Sequence, residues 1–422
     1  MAEKTPSSRL LMIANAHPAY SNGEVGTGAY ALFQQLGKAK SFQPFYLAAM
    51  PASLRTAAAG SPFQIVAGAS DEMFFCHDVV DPFLQSQTHG DVLYEHFRHF
   101  LETLQPQVIH LHHSVHLGLE ALAVAKVALP GVRLVYTLHD FLPMCHRDGV
   151  MLKSGTNALC TRAGAADCHR CFPTIAAEQF RLRELFIKAH LAKVDRFVAP
   201  SIFLAERFIS WGLPEKKISV IEPGHHDGEA VPQREVEAGA HRNVFGYFGE
   251  ISPYKGMPLL QEAVEILVKG GFTDFRLEIF GDVSHQAVAF QQAFQQFLET
   301  YHEQVTWHGP AEPETWPEHM RGVDWVVAPS LWWENAPISV QEAFHHLRPV
   351  ICADVGGMAE KVKHHVNGVH FKAQRAISLA EVLYHAATDE KLWKKLVRRV
   401  TPGATLSEHT EAHKKLYKEL LK

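Results

Sequence analysis

The chain has 422 residues, 47% of them hydrophobic, 20% charged and 10% aromatic, with 28 glycines and 23 prolines. That length exceeds one typical domain, and that composition excludes disordered, collagen-like and coiled-coil chains. A formal charge of −5 offers no basic field for nucleic acid, so no nucleic-acid partner is expected. In chain order, short apolar runs alternate with amphipathic stretches, which predicts parallel sheets with crossover helices. Strands are expected at Leu10–Asn15, Pro44–Ala48, Val108–Leu111, Leu134–Leu138 and Phe197–Ala199, with helices over Ala29–Ala39, Asp91–Leu104 and Phe180–Lys193. The second half predicts strands at Asn243–Tyr247, Phe275–Ile279, Val305–Trp307, Trp325–Ala328 and Val350–Ala353. Its helices are expected over Met257–Lys269, His285–Tyr301, Ile338–His345, Ile377–Ala387 and, last, from Ser407 to Lys422.

The stretch from Glu222 to Arg242 follows neither hydrophobic period and reads as a linker. It separates an N-terminal domain, 1–221, from a C-terminal domain, 243–400, leaving 401–422 as a final helix. Up to residue 221 the chain carries 20 basic and 18 acidic residues, and afterwards 20 and 27. The halves therefore differ too little in charge to argue for an anionic partner. No apolar run approaches the ~18 residues of a membrane span, and none resembles a secretory leader. A cytoplasmic protein is expected, with peripheral contact to the inner face of a membrane through Lys414, Lys415 and Lys418 as an option.

The most informative stretch runs from Ser330 to Phe344. A strand enters a loop carrying Glu334, Asn335 and Ala336, and a helix opens near Asn335 and Pro337. Asn is a good N-cap, proline suits a first turn, and the exposed amides there attract a diphosphate. Glu342 lies five residues beyond Pro337, roughly 7–8 Å along the helix axis. One carboxylate can flank a phosphate and the other can reach a ribose diol. As an isolated pair, they would equally be solvated glutamates on a capped helix.

Four further patterns stand out. Gly23-x-x-Gly26-Thr27-Gly28 follows the first strand, although it lacks the spacing of a dinucleotide fingerprint. Thr137-x-His139-Asp140 ends another strand. The histidines at 110, 112, 113 and 116 do not have helical zinc spacing, so filling is favoured over metal, and the doublets His225-His226, His345-His346 and His364-His365 read as surface or loop. Cys145-x14-Cys160-x7-Cys168-x2-Cys171 leaves three options open: a structural zinc site, two disulfides, or four thiols. Cys76 and Cys352 read as ordinary buried cysteines.

These elements together resemble the retaining glycosyltransferases of the GT-B fold, family 4 (glycosyl transferases group 1). The resemblance runs from Glu334-x7-Glu342 through Arg348-Pro349-Val350 and Asp354-x-Gly356-Gly357 to Asn367-Gly368. Upstream, Gly246-Tyr-Phe-Gly249-Glu250, Lys255-Gly256, Gly281-Asp282 and Gly309 are similar to the family's donor-domain turns. The resemblance implies two Rossmann-like, doubly wound α/β domains facing a cleft, with an NDP-sugar (UDP- or GDP-linked) on the C-terminal side and a glycan or lipid-linked acceptor on the other. The implied function is sugar transfer, hexosyl-type and retaining, in surface polysaccharide or glycoconjugate synthesis. By the same resemblance Glu334, Lys255 and His139 are catalytic. Glu342, Asn335, Ala336, Gly26, Gly28, Gly249 and Gly281 bind the donor, and the chemistry requires no cofactor. Any zinc at the four cysteines would be structural, since some family members carry a cysteine-rich insertion at this point. Glu250 departs from the family, which has arginine there. That departure keeps two alternatives alive: a non-catalytic sugar-nucleotide binder, or another GT-B enzyme such as an epimerase.

Overall fold

Buried aliphatic and aromatic runs become strands here, and crossover helices return each run in parallel to the last. The computed structural model describes residues 8–21, 23–39, 41–51, 61–77, 80–88, 90–225, 228–237, 240–311 and 315–422. They divide into two units, Met1–Gly224 with Leu406–Lys422, and His225–Thr405.

The first unit contains β1 (Ser8–Ala14), β2 (Phe42–Pro51), β3 (Phe63–Ile65) and β4 (Glu72–His77), then a small hairpin of β5 (Val80–Asp81) and β6 (Ser86–Gln87). It continues with β7 (Val108–Leu111), β8 (Arg133–Thr137), β9 (Arg196–Ala199) and β10 (Ile218–Val220). Its main sheet has the order β10-β9-β8-β7-β1-β2-β4-β3, parallel throughout except for β3 against β4. In register, Leu10 of β1 stands between Pro44 and Val108. Strand order reverses at β1, which makes the β1–β7 boundary a topological switch point.

The second unit contains β11 (Val244–Phe248), β12 (Arg276–Phe280), β13 (Val305–Trp307), β14 (Trp325–Ala328), β15 (Val350–Ala353) and β16 (Gly368–Phe371). Their order is β13-β12-β11-β14-β15-β16, all parallel, and the reversal falls between β11 and β14. Both units are Rossmann-like. Residues 228–237 carry no helix or strand, yet they are anchored: Arg234 and Arg242 both pair with the buried Asp324. Arg348 is fully buried nearby and donates to the carbonyls of Met320, Val323, His346 and Pro232.

Hydrophobic pattern locates the ten expected strands to within three residues of their observed ends. It misses six: β3, β4, β5, β6, β10 and β16, all but β4 only two to four residues long, where periodicity is weakest. The first helix spans Glu24–Lys38 rather than starting at Ala29, so Gly26 and Gly28 lie within it. Gly26 is buried against Ala16, where a Cβ would meet Ala16 Cβ and O at 3.1 Å, and tertiary packing overrides glycine's poor helix propensity. Gly28 faces open space instead.

The final helix, Leu406–Leu420, belongs to the first unit. Leu416 and Tyr417 are buried in a core shared with Leu10, Tyr46 and Val108, each worth about 1.5–3 kcal/mol for a large apolar side chain. Among the described residues no helix is long and apolar enough to cross a membrane.

Candidate functional site

In open parallel sheets, ligands bind outside the carboxyl ends of the strands at the switch point. In the second unit that rule selects the loops after β11 and β14. They are stitched together by the Leu331 amide, which donates to Tyr254 O at 2.9 Å. This stitch brings Lys255 and Glu334 into contact across 79 residues: Lys255 Nζ donates to Glu334 Oε1 at 2.8 Å. Ser330 Oγ and Trp332 Nε1 donate to the same oxygen, each also at 2.8 Å. The Lys255 ammonium lies 5.5 Å from the centroid of the Trp332 ring.

Glu334 is 6% exposed. Burial alone would raise its pKa, but the Lys255 charge and the three hydrogen bonds outweigh burial and hold the carboxyl below its ordinary value. The result is a buried, ionised carboxylate with one oxygen saturated by donors.

Backbone close approaches fix this loop. The Gly357 amide donates to Glu334 O at 2.6 Å, and a Cβ on Gly357 would lie 1.6 Å from Asn335 O. Only glycine fits beneath Glu334 and Asn335. Gly281 is under a similar constraint, because its Cβ would lie 1.8 Å from Gly249 O. The amides of Gly249 and Gly281 donate to Phe280 O and Gly309 O, which locks the ends of β11, β12 and β13 together.

Asn335 is not the expected N-cap. The helix spans Ile338–His345 with Pro337 as its cap residue and no side-chain cap bond, because the chain runs extended through Pro337. Asn335 and Ala336 are half-buried in the loop before it. The first-turn amides still point out of the helix, and its positive dipole end suits an anion.

Glu342 sits inside this helix and is buried, with His346 Nε2 3.7 Å from its Oε2. His346 Nδ1 accepts from the Val231 amide, so the neutral ring carries its proton on Nε2, facing Glu342. Burial first, then His345, Arg348 and His225, push the His346 pKa down to about 4. His345 and His346 are therefore buried rather than on the surface, and so is His225, whose ring lies 4.2 Å from that of His345. A run of like residues carries no period, which is why the sequence misplaced them. His364 and His365 are exposed, and His226 lies outside the described residues. Glu250 is exposed and accepts from Gln286 Nε2 at 2.8 Å.

At the switch point of the first unit the chemistry differs. His110 lies in β7 and His112 follows it, while His139 and Asp140 follow β8. His112 Nδ1 stands 3.3 Å from His139 Nε2. His110 bonds Tyr417 OH through Nδ1 and Thr137 Oγ1 through Nε2, both at 2.7 Å. His409 and His413 of the final helix extend the cluster, with the His413 ring 5.6 Å from His110. Burial lowers the pKa of all five, and neighbouring imidazoles lower it further for all but His409, to about 3 for His110 and His139.

Beside them, His113 Nδ1 accepts from Val115 N and its Nε2 donates to Asp140 at 3.1 Å. Burial works against ionisation of Asp140, but His113 and the Leu142 amide hold the carboxyl below its ordinary range. After β1, His17 Nδ1 accepts from Ala19 N and its Nε2 donates to Glu72 at 2.8 Å, a contact spanning 55 residues that spacing could not reveal. Cys145, Cys160, Cys168 and Cys171 are half-buried in the same unit, and no disulfide joins them. Cys352 is fully buried and Cys76 partly so. Among the described residues no three His, Cys, Asp or Glu side chains are placed so as to hold a metal ion together.

Comparison with known proteins agrees with this architecture. Residues 233–401 match the family model Glycosyl transferases group 1, and residues 64–227 match Glycosyltransferase Family 4. A D-inositol 3-phosphate glycosyltransferase of Nocardia farcinica is 26% identical over 211 residues, 48% of this chain and 47% of that protein. The chain thus spans about half the length of the curated relative it matches. Anabaena HepE, solved in complex with UDP and glucose, superposes with a TM-score of 0.65 at 15% identity, over 98% of this chain and 100% of HepE. A sucrose-phosphate synthase of Thermosynechococcus elongatus gives 0.67 at 14% identity, over 98% and 99%. At such identities the likeness shows the fold: GT-B, with two Rossmann-like domains.

Proposed function

This chain belongs to the glycosyltransferases of the GT-B fold, and we propose that among them it is a retaining hexosyltransferase. It moves a sugar from an NDP-sugar to a glycan or lipid-linked acceptor in the synthesis of a surface polysaccharide or glycoconjugate. The observation that carries the reading is the ionised Glu334, held by Lys255, Ser330 and Trp332 beside a helix N-terminus. A carboxylate whose oxygen accepts three hydrogen bonds is a weak nucleophile but a strong source of negative potential. That supports front-face displacement over attack by the enzyme on the sugar.

In this mechanism the sugar–oxygen bond breaks and its electron pair leaves on the diphosphate. The Lys255 ammonium and the amides near Ile338 stabilise that charge. Glu334 offsets positive charge growing on the sugar ring. The acceptor hydroxyl attacks the same face and passes its proton to the departing phosphate oxygen, so no separate base is needed. Glu342, oriented by His346, is assigned to the ribose hydroxyls, and His139, neutral at pH 7, to the hydroxyls of the sugar. The residues of this chain complete these steps without a cofactor.

UDP is the donor base to test first, because HepE was solved with UDP and glucose. A thermal-shift screen of UDP-, GDP- and ADP-sugars should show stabilisation by one base class. Transfer measured with that donor should collapse in Glu342→Ala and Lys255→Ala, and unchanged transfer in both variants would overturn the reading. Glu250, exposed where the resemblance expects arginine, favours a second reading as a donor-binding protein without turnover. Calorimetric binding of UDP-glucose with no release of UDP in the presence of acceptors would select it.

A further inference from the structure

The loop after β8 gathers four thiols from three local structures. Cys145 heads a turn in which the Gly149 amide donates to Cys145 O. Cys160 follows a bridge between Leu152 and Leu159, and its amide donates to Met151 O at 2.8 Å. Cys168 and Cys171 lie on the helix Ala165–Cys171, three residues apart and so on one face. All four line a single cavity, together with Met144 and Phe172. None of these positions is adjacent in sequence, so the convergence is a product of the fold.

A second observation concerns charge. Arg183 is 3% exposed, and its guanidinium donates to the carbonyls of Phe83, Pro143 and Leu142 at 2.7–2.9 Å. Among the described residues no carboxylate hydrogen-bonds to it. Asp81 acts on it electrostatically, but Asp81 Oδ1 is held by the amides of Phe83 and Leu84. Arg183 lines a cavity with Cys168, immediately beside the thiol cavity. A buried cation without an ionic partner is costly, and an anion at the cysteines would offset it.

We propose that Cys145, Cys160, Cys168 and Cys171 bind one zinc ion as a tetrathiolate, with Arg183 as its buried counter-charge. Zinc favours four thiolates in tetrahedral geometry, and such sites stabilise loops that bury little apolar surface. The thiols make weak local contacts: Cys145 Sγ lies 3.9 Å from Arg147 O and Cys160 Sγ 3.3 Å from Arg162 O. Binding draws the four sulfurs inward from the cavity wall and exchanges these contacts for sulfur–metal bonds. Four thiols release four protons to solvent, and Zn²⁺ with four thiolates leaves a net charge of −2 in the loop. The charge of Arg183 then has a partner. Four thiolates complete the tetrahedral coordination of zinc and leave no open position for a substrate, so its role is structural.

The test uses the full-length chain, purified under reducing conditions and analysed for metal by mass spectrometry. One zinc per chain is expected, released by a mercurial with exposure of four thiols. After chelation, titration with Co²⁺ should give the sulfur-to-cobalt charge-transfer and visible bands of a tetrahedral thiolate site. Those bands and the zinc should be lost in Cys168→Ser and Cys171→Ser and kept in Cys76→Ser. Chelation should also lower Tm. Two outcomes overturn the proposal: a reduced, folded chain without zinc that takes up Co²⁺ with no thiolate bands, or the four cysteines recovered as two disulfides with no metal bound after reduction.

Discussion

The two units share a topology and place opposite electrostatics at the same point of it. At the β11–β14 switch a buried carboxylate is kept ionised by an ammonium, a hydroxyl and an indole. At the β1–β7 switch five imidazoles, three of them buried, are kept neutral by burial and, for all but His409, by neighbouring imidazoles. The fold supplies the crevice, and local side chains decide whether it stabilises charge or supplies neutral hydrogen-bonding groups. For a glycosyl transfer, Lys255 and the helix N-terminus beside that carboxylate suit a departing diphosphate. The carboxylate suits positive charge on the sugar, and the neutral imidazoles suit hydroxyl groups.

Acid should separate the units most strongly. His110, His112, His139, His409 and His413 have folded pKa values below their ordinary 6.5, so the unfolded chain binds more protons below that pH. Their environment includes Tyr417 and the His113–Asp140 pair. The first unit therefore loses stability as pH falls from 6.5 towards 3, by up to about 1.4 kcal/mol per pH unit for each histidine. The second unit holds fewer such groups, chiefly His346, and its Glu334 behaves differently. Its folded pKa lies below the ordinary 4.5, so its contribution persists above that value and is lost only as pH falls further. Amide hydrogen exchange at pH 7 and pH 5.2 should show the first unit deprotected first. Simultaneous loss in both units would break the comparison.

Chemistry comes next. Lys255→Ala and Glu334→Gln should each lower kcat by about 10²–10³, the cost of removing a preorganised charge from a transition state. Retained circular dichroism would show that the loss is not unfolding. Smaller still, Tyr417→Phe strips His110 Nδ1 of its partner and should cost about 1–3 kcal/mol by denaturant melt, with kcat unchanged. Gly28→Ala should be the mildest, stabilising by about 0.5–1 kcal/mol, because Gly28 lies in a helix and faces open space. A raised KM in that variant would restore Gly28 as a donor contact.

The second unit was the more legible of the two from sequence. Glu334, Glu342 and Gly357 fall within 24 residues of one another, and helical spacing with strand periodicity places them. Even there Trp332 and Ser330 escaped as partners of Glu334, because nothing in their spacing distinguishes a donor from a loop residue. Asn335 misled, since a good capping residue three positions before a helix looks like its cap. The first unit resists reading because its contacts are long-range: His110 meets Tyr417 across 307 residues. Burial of His345 and His346 was likewise invisible, as it depends on Val231 and His225 packing from a segment without periodicity.

The most direct test of the account is the anomeric configuration formed from UDP-glucose by the full-length enzyme, followed by ¹H NMR before mutarotation. The account predicts that the α-linkage of the donor is retained in the product, and that UDP release and product both disappear in Glu334→Gln. A β product, or transfer by Glu334→Gln at the wild-type rate, would contradict it.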